Sequence, residues 1–171
     1  NRAVEDLNYR GTFVHVLGST PETLQIVHRN ADGESGERIL SLDGAGREIV
    51  RQGDRVQGIL QDQRVVLRES RRDVSPLVSR LPNNSDELEA HYEIQLGGTG
   101  RVADRSVQVL EIKPRDEFRY GYMLWLDEVT AMPLRSHLVD ERGQVVEQIV
   151  FTKIDVPADI PAEALEPTID T

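Results

Sequence analysis

The sequence contains no cysteine, which excludes disulfide bonds, thiol catalysis and cysteine-bound metals. Lysine is nearly absent too: of 20 basic residues only Lys113 and Lys153 are lysine, and the rest are arginine. No apolar run approaches the roughly 20 residues that a membrane-spanning helix needs. The basic residues are outnumbered by 30 acidic ones, and the net charge of −10 argues against nonspecific nucleic-acid binding.

Catalytic and metal-binding motifs are missing as well. The four histidines form no i, i+4 pair, and the sequence has no HExxH, GxSxG or P-loop motif. The glycine-rich stretch Gly97–Gly100 lies between predicted strands and is typical of a turn. We therefore predict a binding protein without a metal or cofactor rather than an enzyme. The enzymatic alternative is a hydrolase built from dispersed carboxylates. It predicts a polar cleft that holds acids with strongly shifted pKa values.

Short β-branched runs separated by turn residues dominate the sequence. Pairs such as Asp32-Gly33 and Asp43-Gly44 suit hairpin turns, and connectors this short cannot hold the crossovers that parallel strands require. The pattern predicts a mainly β fold with a large antiparallel sheet. The predicted strands are Tyr9–Leu17, Glu22–Arg29, Glu37–Leu42, Arg47–Arg51, Val56–Leu60, Arg64–Arg68, Tyr92–Leu96, Arg101–Ile112, Phe118–Leu126, Leu134–Val139 and Val145–Ile154.

The stretch from Val74 to Tyr92 interrupts the strands and predicts two short helices. Val74, Leu77, Val78 and Leu81 recur at helical spacing and form one apolar stripe. Pro82 ends the first helix, and the residues after it favour a second helix that places Leu88 and Tyr92 on one face. The apolar stripes are expected to cover one face of the sheet.

Prolines mark the end of the sequence. Residues 1–156 are expected to form one domain, and residues 157–171, which include Pro157, Pro161 and Pro167, a linker or tail.

Several blocks in a fixed order carry a resemblance that covers nearly the whole sequence. The blocks are Leu7–Val14, Ser41–Val50, Gly98–Arg105, Pro114–Asp127, Met132–Arg135, Val139–Gly143 and Val146–Gln148. With these blocks the sequence resembles the first domain of the RseB/MucB family, periplasmic regulators of the envelope-stress sigma factor.

The resemblance implies a fold like that of the lipoprotein carriers LolA and LolB, a curved, unclosed half-barrel with short helices across its concave face. It also implies a periplasmic protein that binds the periplasmic part of a membrane-spanning anti-sigma factor and shields it from proteolysis. Lipid or lipopolysaccharide acyl chains are the implied signal. Family members carry a second, C-terminal domain, toward which residues 157–171 would lead.

Two groups of side chains are candidates for the implied ligands. An apolar pocket that holds an acyl chain would be lined by Phe13, Leu77, Val78, Leu81, Tyr120, Tyr122 and Trp125. Acidic groups of the partner or lipid phosphates would be met by Arg101, Arg105, Arg115, Arg119 and Arg135. The alternative for the first group is a closed core, and for the second group it is pairing with neighbouring acids. Tyr120 and Trp125 have opposite parity, so a regular strand cannot point both into one cavity.

The alternative function is a periplasmic lipid or lipoprotein carrier on the same fold. Fold alone does not separate a carrier from a regulator, because function depends on the site. The identity of the lipid, the concave face and the oligomeric state are left open by the sequence.

Overall fold

The computed structural model describes residues 7–31, 34–43, 47–53, 55–60, 65–70 and 85–165. In these ranges eleven strands form a single sheet. They are β1 (Tyr9–Leu17), β2 (Thr20–Ala31), β3 (Glu34–Ser41), β4 (Arg47–Gln52), β5 (Arg55–Leu60), β6 (Val65–Ser70), β7 (Tyr92–Val102), β8 (Arg105–Pro114), β9 (Gly121–Asp127), β10 (Pro133–Val139) and β11 (Val145–Asp155).

The strand order is β6-β5-β4-β3-β2-β1-β11-β10-β9-β8-β7, and every pairing is antiparallel. Two meanders, β1–β6 and β7–β11, therefore meet where the first strand pairs with the last. Within the described ranges β6 and β7 are the edges and do not pair with each other, so the sheet is open. The predicted fold class, a mainly β protein with an unclosed antiparallel sheet, is confirmed.

Two sequence predictions in the second meander were wrong. The predicted strand Arg101–Ile112 is a hairpin, because Ala103 and Asp104 adopt φ of 50° and 62° and turn the chain. Two central residues at positive φ match the right-handed twist of the flanking strands. The predicted turn Gly97–Gly100 lies inside β7, where a bulge between Leu96 and Thr99 absorbs one extra residue.

The predicted strand Phe118–Leu126 begins later than its sequence suggests. The segment from Arg115 to Tyr120 is a loop, and β9 starts at Gly121. A side chain at Gly121 would meet the backbone oxygen of Ile112 at 2.9 Å, so a residue without Cβ suits this position.

One of the two predicted helices lies in the described residues. Helix α1 (Ser85–His91) precedes β7 directly, and Leu88 packs with Tyr92 as the helical spacing predicts. The predicted first helix, with Leu77, Val78 and Leu81, lies outside the described residues.

Two apolar clusters stabilise the sheet. The larger one is centred on β1, β2, β10 and β11, and its fully buried members include Tyr9, Phe13, Leu134 and Phe151. The smaller one joins α1 to β7, β8, β9 and β10; it is formed by Tyr92, Ile112, Tyr122 and Leu138, with Leu88 packed against them. Burial of side chains of this size contributes about 1.5–3 kcal/mol each.

The segment that follows β11 packs on the sheet through residue 165. Ile160 and Leu165 are buried, and the 3₁₀ helix Ala162–Leu165 contacts β2 and β3. The backbone N–H of Ala158 donates to the Asn8 carbonyl at 2.8 Å, and Arg29 Nε donates to the Ile160 carbonyl at 3.0 Å. Residues 157–165, which the prolines led us to predict as linker or tail, are thus ordered against the first meander.

Candidate functional site

The strand register fixes which side chains share a face of the sheet. His15, Ile149, Ser136 and Leu124 pair in turn across β1, β11, β10 and β9, so their side chains point to one side. By alternation this side also carries Phe13 and Tyr122. Helix α1 lies on it through Leu88, and we call it the helix face.

Phe13 and Tyr122 therefore point to the same side of the sheet but do not meet. Phe13 is fully buried in the larger cluster, with its ring centroid 5.4 Å from that of Phe151. Tyr122 is buried in the smaller cluster. Both fill the protein core, as in the closed-core alternative for these residues. Leu77, Val78 and Leu81 lie outside the described residues.

Trp125 has the opposite parity to Leu124 on β9, and its half-buried side chain packs against the larger cluster, which also contains Phe13. The guanidinium of Arg135 stacks on its ring at 4.7 Å, and the ring of His137 lies 4.7 Å away between centroids. Arg135 Nε donates to His137 Nε2 at 3.1 Å, so this nitrogen carries no hydrogen. Burial and the charge of Arg135 lower the pKa of His137. Tyr120 precedes β9 and is partly exposed.

Exposed apolar side chains occur on the helix face at the β7 edge. Ile94 pairs with Ile112 and Leu96 pairs with Leu110, so both β7 side chains point to the helix face. Leu96 is 76% exposed and Ile94 42%. Sequence reasoning did not select them, although both lie in the predicted strand Tyr92–Leu96, because alternation alone does not show which strand becomes the edge of the sheet.

Arg105 forms a partly buried ion pair. Its guanidinium donates to Asp127 at 3.1 Å, and the same carboxylate oxygen accepts from the Thr130 hydroxyl at 2.6 Å and the Thr130 N–H at 3.1 Å. Burial raises the pKa of Asp127, but these hydrogen bonds and the arginine charge outweigh it, so the net shift is downward. The pair fixes the β9–β10 turn.

Three further arginines have local partners. Arg101 is largely exposed, 3.8 Å from the exposed carboxylate of Asp104. Arg115 Nε donates to the Glu89 carbonyl at 3.0 Å near the end of α1. Arg119 pairs with Asp116 at 3.1 Å within the β8–β9 loop. Together with Arg105 and Arg135, all five predicted arginines contact neighbours, and they do not converge on one site.

The β8–β9 loop has a defined conformation. The Phe118 N–H donates to Asp116 at 3.0 Å, and this bond, with the charge and hydrogen bond of Arg119, outweighs desolvation and lowers the pKa of Asp116. The fold of the loop directs Phe118 into solvent, where its side chain is 93% exposed.

A cleft of about 580 Å³ opens between this loop and the β10–β11 turn. Its volume falls in the range of small-ligand pockets. It brings together two predicted residues from different groups, Tyr122 and Arg119. It is lined by Glu111, Ile112, Lys113, Pro114, Asp116, Glu117, Arg119, Gly121, Tyr122, Met123, Val139, Asp140, Glu141, Gly143 and Val145.

A row of polar side chains, buried except for the half-buried Arg51, crosses the first meander on the helix face. Tyr9, His28, Glu37 and Arg51 are paired in succession across β1, β2, β3 and β4. Tyr9 stacks on His28 at 4.9 Å, and His28 Nδ1 donates to the Leu7 carbonyl at 2.8 Å. Burial, with the charge of Glu37, raises the pKa of Tyr9. This row leaves no local pattern in the sequence, because its neighbouring members are 9 to 19 residues apart.

The described ranges show neither a metal site nor a membrane-spanning helix. No group of three His, Asp or Glu side chains there could hold a metal ion. The same ranges contain no helix of sufficient length and apolarity to span a bilayer.

Known proteins similar to this chain include regulators of sigma factors. The chain is 39% identical to the sigma factor AlgU regulatory protein MucB of Pseudomonas aeruginosa, over 91% of its own length and 48% of the relative's. It is 31% identical to the sigma-E factor regulatory protein RseB of Salmonella typhimurium, over 94% of its length and 50% of the relative's. The chain thus spans about half the length of the curated relatives it matches.

Solved structures show the same relationship. The crystal structure of MucB matches 97% of this chain and 59% of its own, with 34% identity and a TM-score of 0.79. The Pseudomonas aeruginosa MucA/MucB complex matches 97% of this chain and 57% of its own, with 33% identity and a TM-score of 0.78. The lipoprotein LppX of Mycobacterium tuberculosis, 13% identical, covers 94% of this chain and 92% of its own; its TM-score of 0.53 indicates a shared fold only.

The family match extends over nearly the whole chain. The sequence model of the MucB/RseB N-terminal domain matches residues 1–169. The resemblance deduced from the ordered sequence blocks is confirmed, and the chain belongs to the MucB/RseB N-terminal domain family.

Proposed function

We propose that this chain is part of a periplasmic regulator that binds the periplasmic segment of a membrane-spanning anti-sigma factor and shields it from proteolysis. One observation carries the proposal: the chain matches, over 97% of its length, a solved complex of MucB with MucA. A non-enzymatic binding role also fits the arginines, whose local pairs fix turns and helix ends rather than converge on a reacting group.

A response to lipid or lipopolysaccharide is the second part of the proposal. Leu96 and Ile94 present apolar surface on the helix face beside the half-buried Leu110 and Leu124. An acyl chain laid on these residues gains about 0.8 kcal/mol for each methylene removed from water. Phe13, which the sequence predicted for this pocket, is packed inside the larger cluster.

Release of the anti-sigma factor by lipid requires that the two ligands favour different states of the protein. We propose that the helix face is where this competition occurs, since α1 covers one part of it and leaves the β7 edge exposed. A second domain beyond residues 157–171 is part of this proposal, in keeping with relatives about twice as long as this chain.

The test is protection of the anti-sigma periplasmic segment from its site-one protease, with and without a short-acyl lipopolysaccharide fragment. The chain is expected to slow cleavage, and the lipid to restore it. Leu96→Asp is expected to weaken lipid binding at least fivefold, whereas Val129→Asp, at an 86% exposed position in the β9–β10 turn, leaves it unchanged.

The lipid or lipoprotein carrier remains the second function, favoured by the same exposed apolar side chains. A carrier predicts lipid binding and transfer between vesicles without measurable affinity for the anti-sigma segment. Absence of both protection and binding in the first experiment would reject the regulatory proposal.

A further inference from the structure

The cleft between the β8–β9 loop and the β10–β11 turn carries an excess of negative charge. Five carboxylates and two cations line it, which leaves a net charge of −3 if all are ionised. Lys113 lies 3.6 Å from Glu111, and Arg119 lies 3.1 Å from Asp116, so both cations are already paired. The uncompensated carboxylates are those of Glu117, Asp140 and Glu141.

These three carboxylates have no salt bridge among the described residues. Asp140 is held in place, because one of its oxygens accepts from the backbone N–H groups of Arg142 and Gln144, both at 2.9 Å. Glu117 and Glu141 are exposed and stand on the two sides of the cleft. Like charges facing one gap attract a cation from solution and repel phosphate or carboxylate.

The interior of the cleft is apolar. Its lining includes the buried Ile112 and Tyr122, the half-buried Met123 and Val139, and Val145, which is 40% exposed. Such a surface fits one apolar side chain of a ligand, and the acidic rim fits a basic group beside it.

The walls of the cleft are already ordered before any ligand binds. The bonds from Phe118 and Arg119 to Asp116 fix the loop, and the two bonds to Asp140 fix the turn. A preformed site avoids the entropy cost of ordering loops on binding. Phe118, exposed on the loop, adds an aromatic contact next to the cleft.

We propose that this cleft binds a short segment of the anti-sigma factor that carries an apolar residue next to a lysine or arginine. The inference rests on the proposed function and specifies the chemistry of the partner segment. Charge complementarity favours a basic peptide over the proposed lipid, because the negative charge of the cleft would repel a lipid phosphate.

The experiment compares two charge-reversed variants of the chain by calorimetric titration with the periplasmic segment of the anti-sigma factor. Glu117→Lys/Glu141→Lys reverses the two sides of the cleft. Glu128→Lys/Glu163→Lys changes the net charge equally at exposed positions that do not line it. The cleft variant is expected to raise Kd at least tenfold and the control less than twofold, with the difference shrinking as salt is raised.

A third variant, Val145→Asp, tests the apolar interior and is expected to weaken binding of the same segment at least fivefold. Circular dichroism and thermal unfolding verify that each variant is folded. If the charge-reversed cleft variant unfolds, Glu117→Gln/Glu141→Gln takes its place. If the wild-type chain does not bind the segment, the proposed function itself fails. If it binds and the cleft variants bind as tightly, the cleft assignment is overturned. Reduced binding of lipopolysaccharide vesicles with unchanged peptide binding would overturn it in favour of a lipid.

Discussion

Arg135 and Trp125, directly paired across β10 and β9, form a cation–π contact with 4.7 Å between the guanidinium carbon and the ring centroid. The same arginine donates to Nε2 of His137, two residues further along β10. The sequence had suggested the arginine as a phosphate ligand and the tryptophan as a pocket wall. Instead they contact one another.

Replacement of Arg135 by methionine is expected to raise the pKa of His137, because it removes both a nearby positive charge and the donor that keeps Nε2 unprotonated. The measurement is an NMR titration of the histidine ring protons. Arg119→Met is the control, since Arg119 pairs with Asp116 in the distant loop. An unchanged His137 titration in the first variant would contradict the contact.

His137 also predicts a pH dependence of stability. Its folded pKa lies below the ordinary 6.5, so the unfolded chain binds a proton more readily at slightly acidic pH. Stability from this residue is complete above about pH 6.5 and is lost as the pH falls from there toward the lower pKa of the folded state. Between pH 7.5 and 5.5, urea unfolding is expected to show a smaller loss of unfolding free energy for His137→Gln than for the wild type. The glutamine amide oxygen can still accept from Arg135. An equal loss in both proteins would refute the assignment.

Asp127→Asn is expected to lower the free energy of unfolding by about 2–3 kcal/mol at pH 7, since it breaks a largely buried pair and leaves Arg105 without its anion. Asp104→Asn, at a carboxylate that is 99% exposed, is the control, with an expected change near zero. The Asp127 pKa is lowered, so its stabilising effect is present above pH 3.8 and disappears as pH falls through the folded value. Wild type and Asp127→Asn should therefore converge in acid.

Gly36→Ala is expected to destabilise the protein by about 1–3 kcal/mol, because a Cβ at this position overlaps Leu165 of the 3₁₀ helix. Leu165→Ala makes room for the added methyl group. In a double-mutant cycle by urea unfolding, the two changes together should cost less than the sum of the single changes. Strict additivity would show that the two residues do not touch.

The strands and their antiparallel pairing could be predicted from the sequence because alternation and turn residues are local signals, whereas the pairing of β1 with β11 could not. Tyr9–Leu17 was placed at its observed bounds. The hairpin at Ala103-Asp104 was missed because alanine rarely marks a turn with positive φ, and the glycines after Leu96 resemble a turn although they form a bulged edge strand. In both cases pairing with β8 decides the local conformation.

The candidate site was less predictable, because a site depends on which strands become neighbours. Parity correctly separated Tyr122 from Trp125, but it could not show that Phe13 is enclosed by Phe151 from β11. The arginines were chosen by residue type alone. The carboxylate or carbonyl partners of four of them lie 3 to 26 residues away in sequence, and Arg135 contacts Trp125 and His137 instead. The acidic cleft combines residues from four strands and two turns, a proximity that only the fold creates.

The pairing of β1 with β11 has a consequence for how the chain folds. Residues near the amino terminus, such as Val14, find their neighbour Val150 only after nearly the whole domain has been made. Each meander can form by local hairpin closure, but the seam between them closes a loop of more than a hundred residues, and such distant contacts slow folding. Until the seam closes, β1 has one unpaired edge exposed to solvent. The newly made domain is therefore prone to aggregate through its central strand rather than through its outer strands.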